Sequence, residues 1–501
     1  MHSFRGTTPP PEILAGVRRG AIAAFCLFNF NFETLAQFRR FNEQLYTAAA
    51  EGSLPPPIIG IDQEGGQLIP IRDGATILPG NMALGATNSP ELARQAGRVL
   101  ARELLAVGCN LNFAPVLDLN NNPDNFAVGI RAFGDRPADV ARMGVALIAG
   151  MQEAGVIATA KHFPGHGDTS TDSHFGLPVV SKSLAELEAS DLFPFAEAIR
   201  SGVGAVLTGH LLFPALDAEN VATVSPAILK GLLRQRMGFG GLIITDAMDM
   251  SAVNRLGARA SVRAALRAGN DLVLMGHLSD QLALTVEMSG EENAESVARI
   301  QRVRRQIPTT LPDLGVIGSA EHQAVAQAIA DASITVVRDG GRLPLRPSEE
   351  TEIAVMTVRP VNITPADTSN GERVLLAEAI RQRHRRTTAI EIDYAAPESA
   401  ISDAIHAAEN ADIVIVGTLV ADQDGSQAAL VRELHRLGKQ PIVIALRTPY
   451  DLRAFPEIEN YLCAYSYRPV STEAAARVLF GEIEARGILP CTIPGSSVVQ
   501  V

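Results

Sequence analysis

The 501-residue sequence contains no tryptophan, few other aromatic residues and no excess of basic charge. Aromatic residues make up 5% of the chain, whereas a protein that binds a long polysaccharide in an open cleft usually offers several aromatic platforms. The formal net charge of −12 disfavours nucleic acid or an anionic membrane surface as the partner. With 47% hydrophobic and 20% charged residues, the chain has the composition of a globular protein.

Cysteines and long hydrophobic runs are also scarce. The first apolar run, AIAAFCLFNF, has about ten residues, and a helix needs roughly 20 to span a bilayer. No basic-then-apolar leader precedes a cleavage site, so we expect a cytoplasmic location; because the chain opens abruptly at MHSFRGTTPPPEI, an export signal upstream is the alternative. The cysteines lack metal or redox spacing and are expected to be buried reduced thiols: Cys26, Cys109, Cys463 and Cys491.

Up to about residue 300, short apolar runs alternate with amphipathic segments that often begin with Ser-Pro, a helix cap followed by a suitable first residue. Continuous apolar strands separated by helices predict a parallel sheet covered on both faces. The runs are IAAFCLFNF, PIIGIDQEGG, NLNFAPVLDL, VIATAKHFP, GAVLTGHLLF, GLIITDAMD and DLVLMG. Seven such units favour an α/β fold of the (β/α)8 TIM-barrel type, with the first strand largely missing and residues 1–4 as its stub. A doubly wound open sheet also fits this spacing.

A proline-bearing stretch, QIPTTLPDLGVI, separates this half from a second α/β pattern. We therefore predict a barrel domain at residues 1–310, a linker and helix at 311–334, and a smaller α/β sandwich at 335–501. The strands predicted in the sandwich are ITVVRD, EIAVMTV, AIEIDY, DIVIVGT and PIVIALR. This half lacks a G-x-G-x-x-G turn and a P-loop, so we expect no nucleotide and favour a structural or dimerising role; a homodimer remains open.

Polar residues end several apolar runs of the first half. In a barrel the carboxyl ends of the strands carry the chemistry, and burying a lone charge is costly, so several such residues predict a polar pocket. In IITDAMDM we favour Asp246 as the chemical residue, because it directly follows the strand, and we expect Asp249 to enter the next helix. The other candidates are Asp62, Asp118, Lys161, His162 and His210, with Arg131 in the loop GIRAFGD.

The stretch KHFPGHGDTSTDSH, residues 161–174, has two chemical interpretations. His162 and His166 have the spacing of two zinc ligands on one helix face, but Pro164 and the adjacent glycines would break that helix. A metal site in a loop remains open. Alternatively, Asp172 and His174 form an acid/base dyad in a mobile glycine-containing loop, where the aspartate holds the histidine in one tautomer. The ligands of the loop metal site would be His162, His166, Asp168 and His174.

Together these motifs resemble glycoside hydrolase family 3, and within it the β-N-acetylglucosaminidase branch. The resemblance covers the barrel half in order, through IGIDQEGG, NLNFAPVLDLNNNP, RAFGD, KHFPGHGDTSTDSH, LTGHLLFPALD and IITDAMDM. The second half resembles the α/β sandwich that many members carry. The resemblance implies a retaining exo-hydrolase of small carbohydrates that uses no metal or cofactor. It implies that Asp246 is the nucleophile and that His174, paired with Asp172, is the general acid/base. The implied sugar-binding residues are Asp62, Arg131, Lys161 and His162.

The resemblance favours an enzyme that releases terminal N-acetylglucosamine from cell-wall muropeptide fragments or short chito-oligosaccharides. The alternatives within the family are a β-glucosidase, a broad β-hexosaminidase and a phosphorylase. Outside it they are a metal-dependent barrel hydrolase and a catalytically inactive sugar-binding protein. The chain departs from the family pattern after QEGG, where relatives often carry a basic residue: here Gln67 follows, and Arg72 is the candidate substitute.

Overall fold

The computed structural model describes residues 1–169, 172–173, 176–253, 257–291 and 293–495. The first domain is built on a parallel sheet of six strands in chain order. These strands are buried on both faces, which explains their continuous apolar sequences. They are β1 (Ala24–Cys26), β2 (Ile58–Ile61), β3 (Leu111–Asn112), β4 (Ile157–Phe163), β5 (Ala205–Thr208) and β6 (Leu242–Thr245).

Two short extended segments, residues 1–3 and 271–275, lie between the outer strands of this sheet. The first pairs in parallel with β1 at His2 and Phe25. On its other side it is hydrogen-bonded to residues 271–275, which in turn pair with β6 through Leu272. The sheet therefore closes on itself. The predicted (β/α)8 barrel is confirmed, with residues 1–3 in the place of the first strand.

Helices surround the barrel. Within the described residues, no helix combines the length and the apolar character needed to cross a membrane. The Ser-Pro motif at Ser89 caps a helix as predicted, because its hydroxyl accepts from the Leu92 amide at 3.3 Å. The second Ser-Pro motif precedes a π-helical segment, Ala227–Arg236. The α-helices are α1 (Pro11–Arg18), α2 (Leu35–Glu51), α3 (Asn81–Thr87), α4 (Pro90–Ala106), α5 (Pro137–Glu153), α6 (Leu184–Ala189), α7 (Leu192–Arg200), α8 (Ala258–Ala268), α9 (Gln281–Glu287) and α10 (Ala294–Arg304).

One further helix, α11 (Ala320–Ser333), lies between the two domains. It occupies the region where the sequence predicts a helix after the proline-bearing stretch. Towards the barrel, His322 Nδ1 lies 2.8 Å from a Glu103 carboxylate oxygen on α4. Towards the second domain, the Gln327 side-chain amide donates to the Val470 carbonyl at 3.3 Å. The helix is thus bonded to both domains.

The second domain is a mixed sheet with helices, which confirms the predicted α/β sandwich. Its strand order is β7-β12-β11-β10-β8-β9, and only the β7–β12 pair is antiparallel among the described strands. The sequence analysis missed β12, because its apolar run Tyr-Leu-Cys is short and has no β-branched residue. The strands are β7 (Thr335–Arg338), β8 (Ile353–Val358), β9 (Thr387–Ile392), β10 (Ile413–Thr418), β11 (Ile442–Ala445) and β12 (Asn460–Cys463). The helices are α12 (Leu376–Arg381), α13 (Glu398–Ala407), α14 (Gly425–Arg436) and α15 (Pro469–Leu479).

The carboxyl edge of this second sheet faces the barrel. In an open α/β sheet this edge is where a ligand normally binds, at the point where the strand order reverses. Here the loops after β8, β10, β11 and β12 are instead hydrogen-bonded to the first domain. The contacts are Thr368 N to Gln67 O (2.9 Å), Gln423 Nε2 to Asp124 Oδ1 (3.2 Å), Tyr450 Oη to Asn120 O (3.3 Å) and Arg468 Nε to Gly66 O (2.8 Å).

All four cysteines are buried, as expected, and none forms a disulfide in the part of the chain that the structure describes. Burial raises the pKa of each thiol, so the reactive thiolate form is disfavoured.

Candidate active site

The carboxyl ends of the barrel strands surround a cavity of about 210 Å³. Parallel strands deliver their last residues to the same edge of a sheet, so residues far apart in sequence meet there. The cavity lining brings together five residues that the sequence analysis singled out. They are Asp62 after β2, Arg131 in the loop after β3, Lys161 and His162 at the end of β4, and Asp246 after β6.

Glu64, which the sequence analysis did not select, joins the two cations of this rim. Its carboxylate accepts from Arg131 Nη2 at 2.7 Å and from Arg131 Nε at 2.9 Å, and it lies 2.6 Å from Lys161 Nζ. Lys161 also donates to Asp62 at 2.6 Å. A signal for Glu64 was present: two cations predicted at one buried rim require more than one anion, and Glu64 stands two residues after Asp62.

The protonation states of this cluster follow from opposing effects. Burial would raise the pKa of Glu64, but the charges of Arg131 and Lys161 outweigh it and lower the pKa to about 2. Burial would lower the pKa of Lys161, but Asp62 and Glu64 outweigh it and raise that pKa. Glu64, Arg131 and Lys161 are therefore charged near neutral pH, and the two cations are held in place by buried ion pairs.

His162 is oriented by Asp118, at the end of the preceding strand region. One Asp118 oxygen lies 2.6 Å from His162 Nδ1, and the other accepts from the His162 and His166 amides at 3.1 and 2.7 Å. Burial would raise the pKa of Asp118, but His162 and His166 together lower it. The pairing fixes the ring so that His162 Nε2 lies 3.5 Å from Arg131 Nη2, at the cavity wall.

The surroundings of His162, His166 and Asp168 test the alternative of a metal site in this loop. The rings of His162 and His166 are 6.0 Å apart, and the Thr169 hydroxyl lies 2.9 Å from His166 Nδ1. Asp168 faces the Lys182 ammonium at 3.6 Å. Across the described ranges, no three histidine, cysteine, aspartate or glutamate side chains are arranged to hold a metal ion. The fourth proposed ligand, His174, lies outside the described residues.

Asp246 stands where two cavities meet. Its carboxylate accepts from the Ala247 amide at 2.8 Å, and it lines both the 210 Å³ cavity and a smaller one beside it. The smaller cavity is also lined by Asp172 and His166. The structure thus places Asp246 and Asp172, two members of the predicted catalytic set, on one cavity wall; His174, the third, lies outside the described residues.

Asp249 is not at the start of a helix, and that prediction is wrong. It lies in a turn, and α8 begins only at Ala258. The physical reason is that the chain after β6 stays attached to the barrel wall, where the Met248 amide donates to the Leu274 carbonyl at 2.9 Å.

The second domain contributes a wall to the active-site cavity. Residues 365–368, in the loop after β8, line the 210 Å³ cavity, and Ala366 also lines the smaller one. Arg72, the candidate substitute for a family contact, faces this domain: it donates to the Thr368 carbonyl at 3.0 Å and pairs with Glu372 at 2.9 Å. The local sequence carries no signal for this wall, because the contacts join residues some 300 positions apart.

Comparison with known proteins agrees with this architecture. Residues 8–306 match the glycosyl hydrolase family 3 N-terminal domain, and residues 334–500 match the family 3 C-terminal domain. Beta-hexosaminidase A of Pseudoalteromonas piscicida is 31% identical, over 97% of this chain and 92% of that protein. A beta-hexosaminidase of Nitrosomonas eutropha is 34% identical over 61% of this chain, and the match takes up 88% of that protein.

A solved structure is similar over nearly the whole chain. A family 3 beta-N-acetylglucosaminidase from Paenibacillus sp. strain FPU-7 has 32% sequence identity and a TM-score of 0.91, covering 98% of this chain and 97% of that one. Both halves of the chain match family 3 domains, and two of these similarities cover nearly the whole chain. The cavity at the barrel rim, lined by Asp62 and Asp246, agrees with them. This chain belongs to glycosyl hydrolase family 3 and is a glycoside hydrolase.

Proposed function

We propose that this protein is a retaining, exo-acting β-N-acetylglucosaminidase that releases terminal N-acetylglucosamine from cell-wall fragments or short chito-oligosaccharides. The observation that carries the proposal is the position of Asp246. Asp246 lines the 210 Å³ cavity together with the candidate sugar-binding groups, and it also lines the smaller neighbouring cavity together with Asp172. Two of the similar full-length proteins are named beta-hexosaminidase A and beta-N-acetylglucosaminidase.

In the first step Asp246 attacks the anomeric carbon as the bond to the leaving oxygen breaks. A covalent glycosyl-enzyme intermediate forms, and the leaving oxygen takes a proton from the His174 imidazolium. In the second step the neutral imidazole accepts a proton from water as that water attacks the anomeric carbon and releases Asp246. Two inversions at that carbon give overall retention.

A histidine suits this proton transfer, because an imidazole has an ordinary pKa of about 6.5 and changes charge near neutral pH without large tuning. In this proposal Asp172 is the partner of His174: its carboxylate favours one imidazole tautomer and stabilises the imidazolium. A second carboxylate as the acid would repel the nearby Asp246 anion, and the histidine avoids that repulsion.

Sugar recognition falls to donors and acceptors that alternate around the cavity. Lys161 and Arg131 present N–H groups, His162 presents its Nε2 ring nitrogen, and Asp62, whose side chain is 28% exposed, presents a carboxylate. Because Glu64 holds both cations in place, these groups are ordered before the sugar arrives, which lowers the entropic cost of binding. The cavity, at about 210 Å³, is smaller than the roughly 300–1,000 Å³ typical of ligand pockets and suits a single terminal sugar.

The test is hydrolysis of an aryl N-acetyl-β-glucosaminide by an Asp246→Ala variant. We expect turnover to disappear, while the thermal unfolding temperature stays near that of the unaltered protein. Asp249→Ala is the matched control, because Asp249 lies in the same segment after β6 and is expected to be dispensable. Normal turnover in Asp246→Ala would remove this residue from the mechanism.

A panel of aryl glycosides tests the sugar class. We expect the N-acetylglucosaminide to be hydrolysed faster than the matching glucoside, with no stimulation by phosphate. A preference for the glucoside would identify a β-glucosidase, and phosphate-dependent release of a sugar phosphate would identify a phosphorylase.

A further inference from the structure

Gln67 connects the active-site rim of the barrel to the second domain. It follows the glycine pair of QEGG, and only 1% of its surface is exposed. Its side-chain amide donates to the Ala366 carbonyl at 2.9 Å, and its own backbone carbonyl accepts from the Thr368 amide and hydroxyl, both at 2.9 Å. Both bonded residues belong to the loop that lines the active-site cavity.

Arg447, in the loop after β11, completes a chain of buried contacts. Its guanidinium donates to the Gln67 side-chain oxygen at 2.6 Å and to the Asp367 carboxylate at 3.0 Å. Asp367 in turn accepts from the amides of Ile363 and Ser369, at 3.2 and 2.9 Å, within its own loop. The Arg447 and Asp367 side chains are 5% and 0% exposed. Charges this deeply buried need their partners, so the loop is held in one position.

The glycines of the QEGG turn allow it to pack closely against residues 78–80 of the barrel. Gly66 has a φ of +60°, and a side-chain carbon there would lie 3.1 Å from the Pro79 carbonyl oxygen. The same turn accepts a hydrogen bond from Arg468 of the second domain at 2.8 Å, through the Gly66 carbonyl. One tight turn in the barrel therefore carries Gln67 and contacts three loops of the second domain, those after β8, β11 and β12.

We propose that Gln67 and Arg447 are positioning residues for the sugar-binding cavity. They hold residues 365–368 as one wall of the cavity, so the second domain sets the affinity for the sugar while barrel residues carry out bond cleavage. Neither residue touches the reacting atoms in this proposal. The inference rests on the proposed glycosidase function. It adds that the second domain contributes to the affinity of that site for the sugar.

If the proposal is right, loss of the wall formed by residues 365–368 weakens sugar binding more than it slows bond cleavage. Gln67→Ala removes the bond to Ala366 and one partner of Arg447, but it leaves the Arg447–Asp367 ion pair intact. We expect KM to rise about tenfold, as for the loss of a hydrogen bond to a charged group, with kcat changed less than about threefold. Arg447→Ala should raise KM at least as much, and Arg447→Lys should recover part of the loss.

The double variant Gln67→Ala/Arg447→Ala tests whether Gln67 and Arg447 act through one hydrogen-bonded network or through two independent contacts. We expect its KM to be close to that of Arg447→Ala, because both single changes release the same loop. Arg453→Ala is the control at the same domain interface: Arg453 pairs with Asp124 at 3.1 Å and with Asp422 at 3.3 Å, and both partners lie outside residues 365–368. It should leave KM unchanged.

The assay uses the aryl glycoside that the unaltered enzyme hydrolyses best, and the unfolding temperature of each variant confirms that it is folded. If the unaltered enzyme hydrolysed the glucoside and not the N-acetylglucosaminide, the proposed sugar class would be wrong. The KM values of the variants would still test whether Gln67 and Arg447 position residues 365–368. An unchanged KM in Gln67→Ala and Arg447→Ala would overturn the inference. So would a fall in kcat alone, or an equal rise of KM in Arg453→Ala.

Discussion

Glu64 in the barrel and Asp451 in the second domain are both buried carboxylates near the carboxyl edge of a parallel sheet, yet their pKa values move in opposite directions. For both, burial by itself raises the pKa. Around Glu64, Arg131 and Lys161 outweigh burial and lower the pKa to about 2. Around Asp451 the nearby Asp422 adds to burial, and the pKa rises to about 8, although Thr418 and Ala421 donate hydrogen bonds at 2.5 and 2.8 Å.

The two sheet edges differ in what surrounds their polar side chains. At the barrel rim, charges of both signs are held around an open cavity, and they remain charged at neutral pH. At the edge of the second sheet, the polar groups are bonded to one another or to the barrel, and Asp451 is largely protonated near neutral pH. Both edges are rich in polar side chains, but the cavity at the barrel rim has about 210 Å³, whereas the cavity beside Val420 and Arg447 at the second edge has about 10 Å³.

The largest effect is expected from Glu64→Gln. This change leaves Arg131 and Lys161 with less negative charge in a buried site, a situation that costs about 3–5 kcal/mol. We expect a lower unfolding temperature and a large loss of kcat/KM, because Arg131 and Lys161, the two cations proposed to bind the sugar, lose their common partner. An unaltered protein should lose the Glu64 contribution to stability as the pH falls from about 4.5 towards 2, since the folded pKa lies below the ordinary value.

Differential scanning calorimetry of Glu64→Gln and the unaltered protein between pH 3 and 7 measures this effect. The matched control is Glu372→Gln, which removes a half-exposed carboxylate from Arg72 and Arg468 at the domain interface. Equal stability of Glu64→Gln and the unaltered protein at pH 7 would contradict the charged state of the rim.

Asp172→Asn is expected to have the next largest effect, on catalysis and not on stability. If Asp172 is the partner of the catalytic imidazole, as proposed, loss of its carboxylate should lower kcat by about 10–100-fold. The high-pH limb of the kcat profile should also move to lower pH, because the imidazolium loses a neighbouring anion. Steady-state rates across pH 5–9 with an aryl N-acetylglucosaminide measure both changes. A profile identical in shape to that of the unaltered enzyme would remove Asp172 from the proton transfer.

Asp451→Asn tests the raised pKa of the buried carboxylate in the second domain. Since the folded pKa of Asp451 lies above its ordinary value of 3.8, its contribution to stability is present below about pH 4 and is lost as the pH rises towards 8. The neutral amide does not ionise, so we expect the variant to gain stability relative to the unaltered protein as the pH rises. Thermal unfolding at pH 5, 7 and 8.5 measures the difference, which should grow with pH. A constant difference would show that Asp451 does not titrate in this range.

The smallest effect is expected from Arg453→Ala. Its ion pair with Asp124 joins the domains at 3.1 Å, but the side chains are 31% and 54% exposed; its other pair, with Asp422 at 3.3 Å, lies within the second domain. An exposed pair of this kind contributes about 0–1 kcal/mol. We expect a shift of the unfolding temperature near the limit of detection in 0.15 M salt. A loss as large as that of Glu64→Gln would mean that the surface contacts, and not the buried ones, hold the domains together.

The sequence predicted the barrel and most of its rim because their signals are local. Each strand is a continuous apolar run, and each polar residue that ends a run, such as Asp62, Lys161 or Asp246, is delivered to the same edge by the parallel arrangement. Residues 1–4 were predicted to be a strand stub from their place in the repeat, and the structure pairs residues 1–3 with β1 and with residues 271–275. The resemblance to a family added roles for these positions, and those roles stay predictions until they are tested.

What the sequence did not predict depends on contacts between distant parts of the chain. Gln67 and Arg447 are separated by 380 positions, and neither interrupts a pattern that marks it as part of a cavity. Glu64 could have been inferred by balancing the buried charges, but its bonds to Arg131 and Lys161 also join separate strands. The strand β12 was missed because its apolar run is too short to be distinguished from a loop.

The central claim is that Asp246 forms a covalent bond to the sugar. It is tested most directly by incubating the enzyme with a slow fluorinated N-acetylglucosaminide and locating the labelled peptide by mass spectrometry. We predict one label, on Asp246 in the sequence IITDAMDM, and none in Asp246→Ala. A label on another carboxylate, or turnover of the probe with no covalent intermediate under conditions that slow its hydrolysis, would contradict the account.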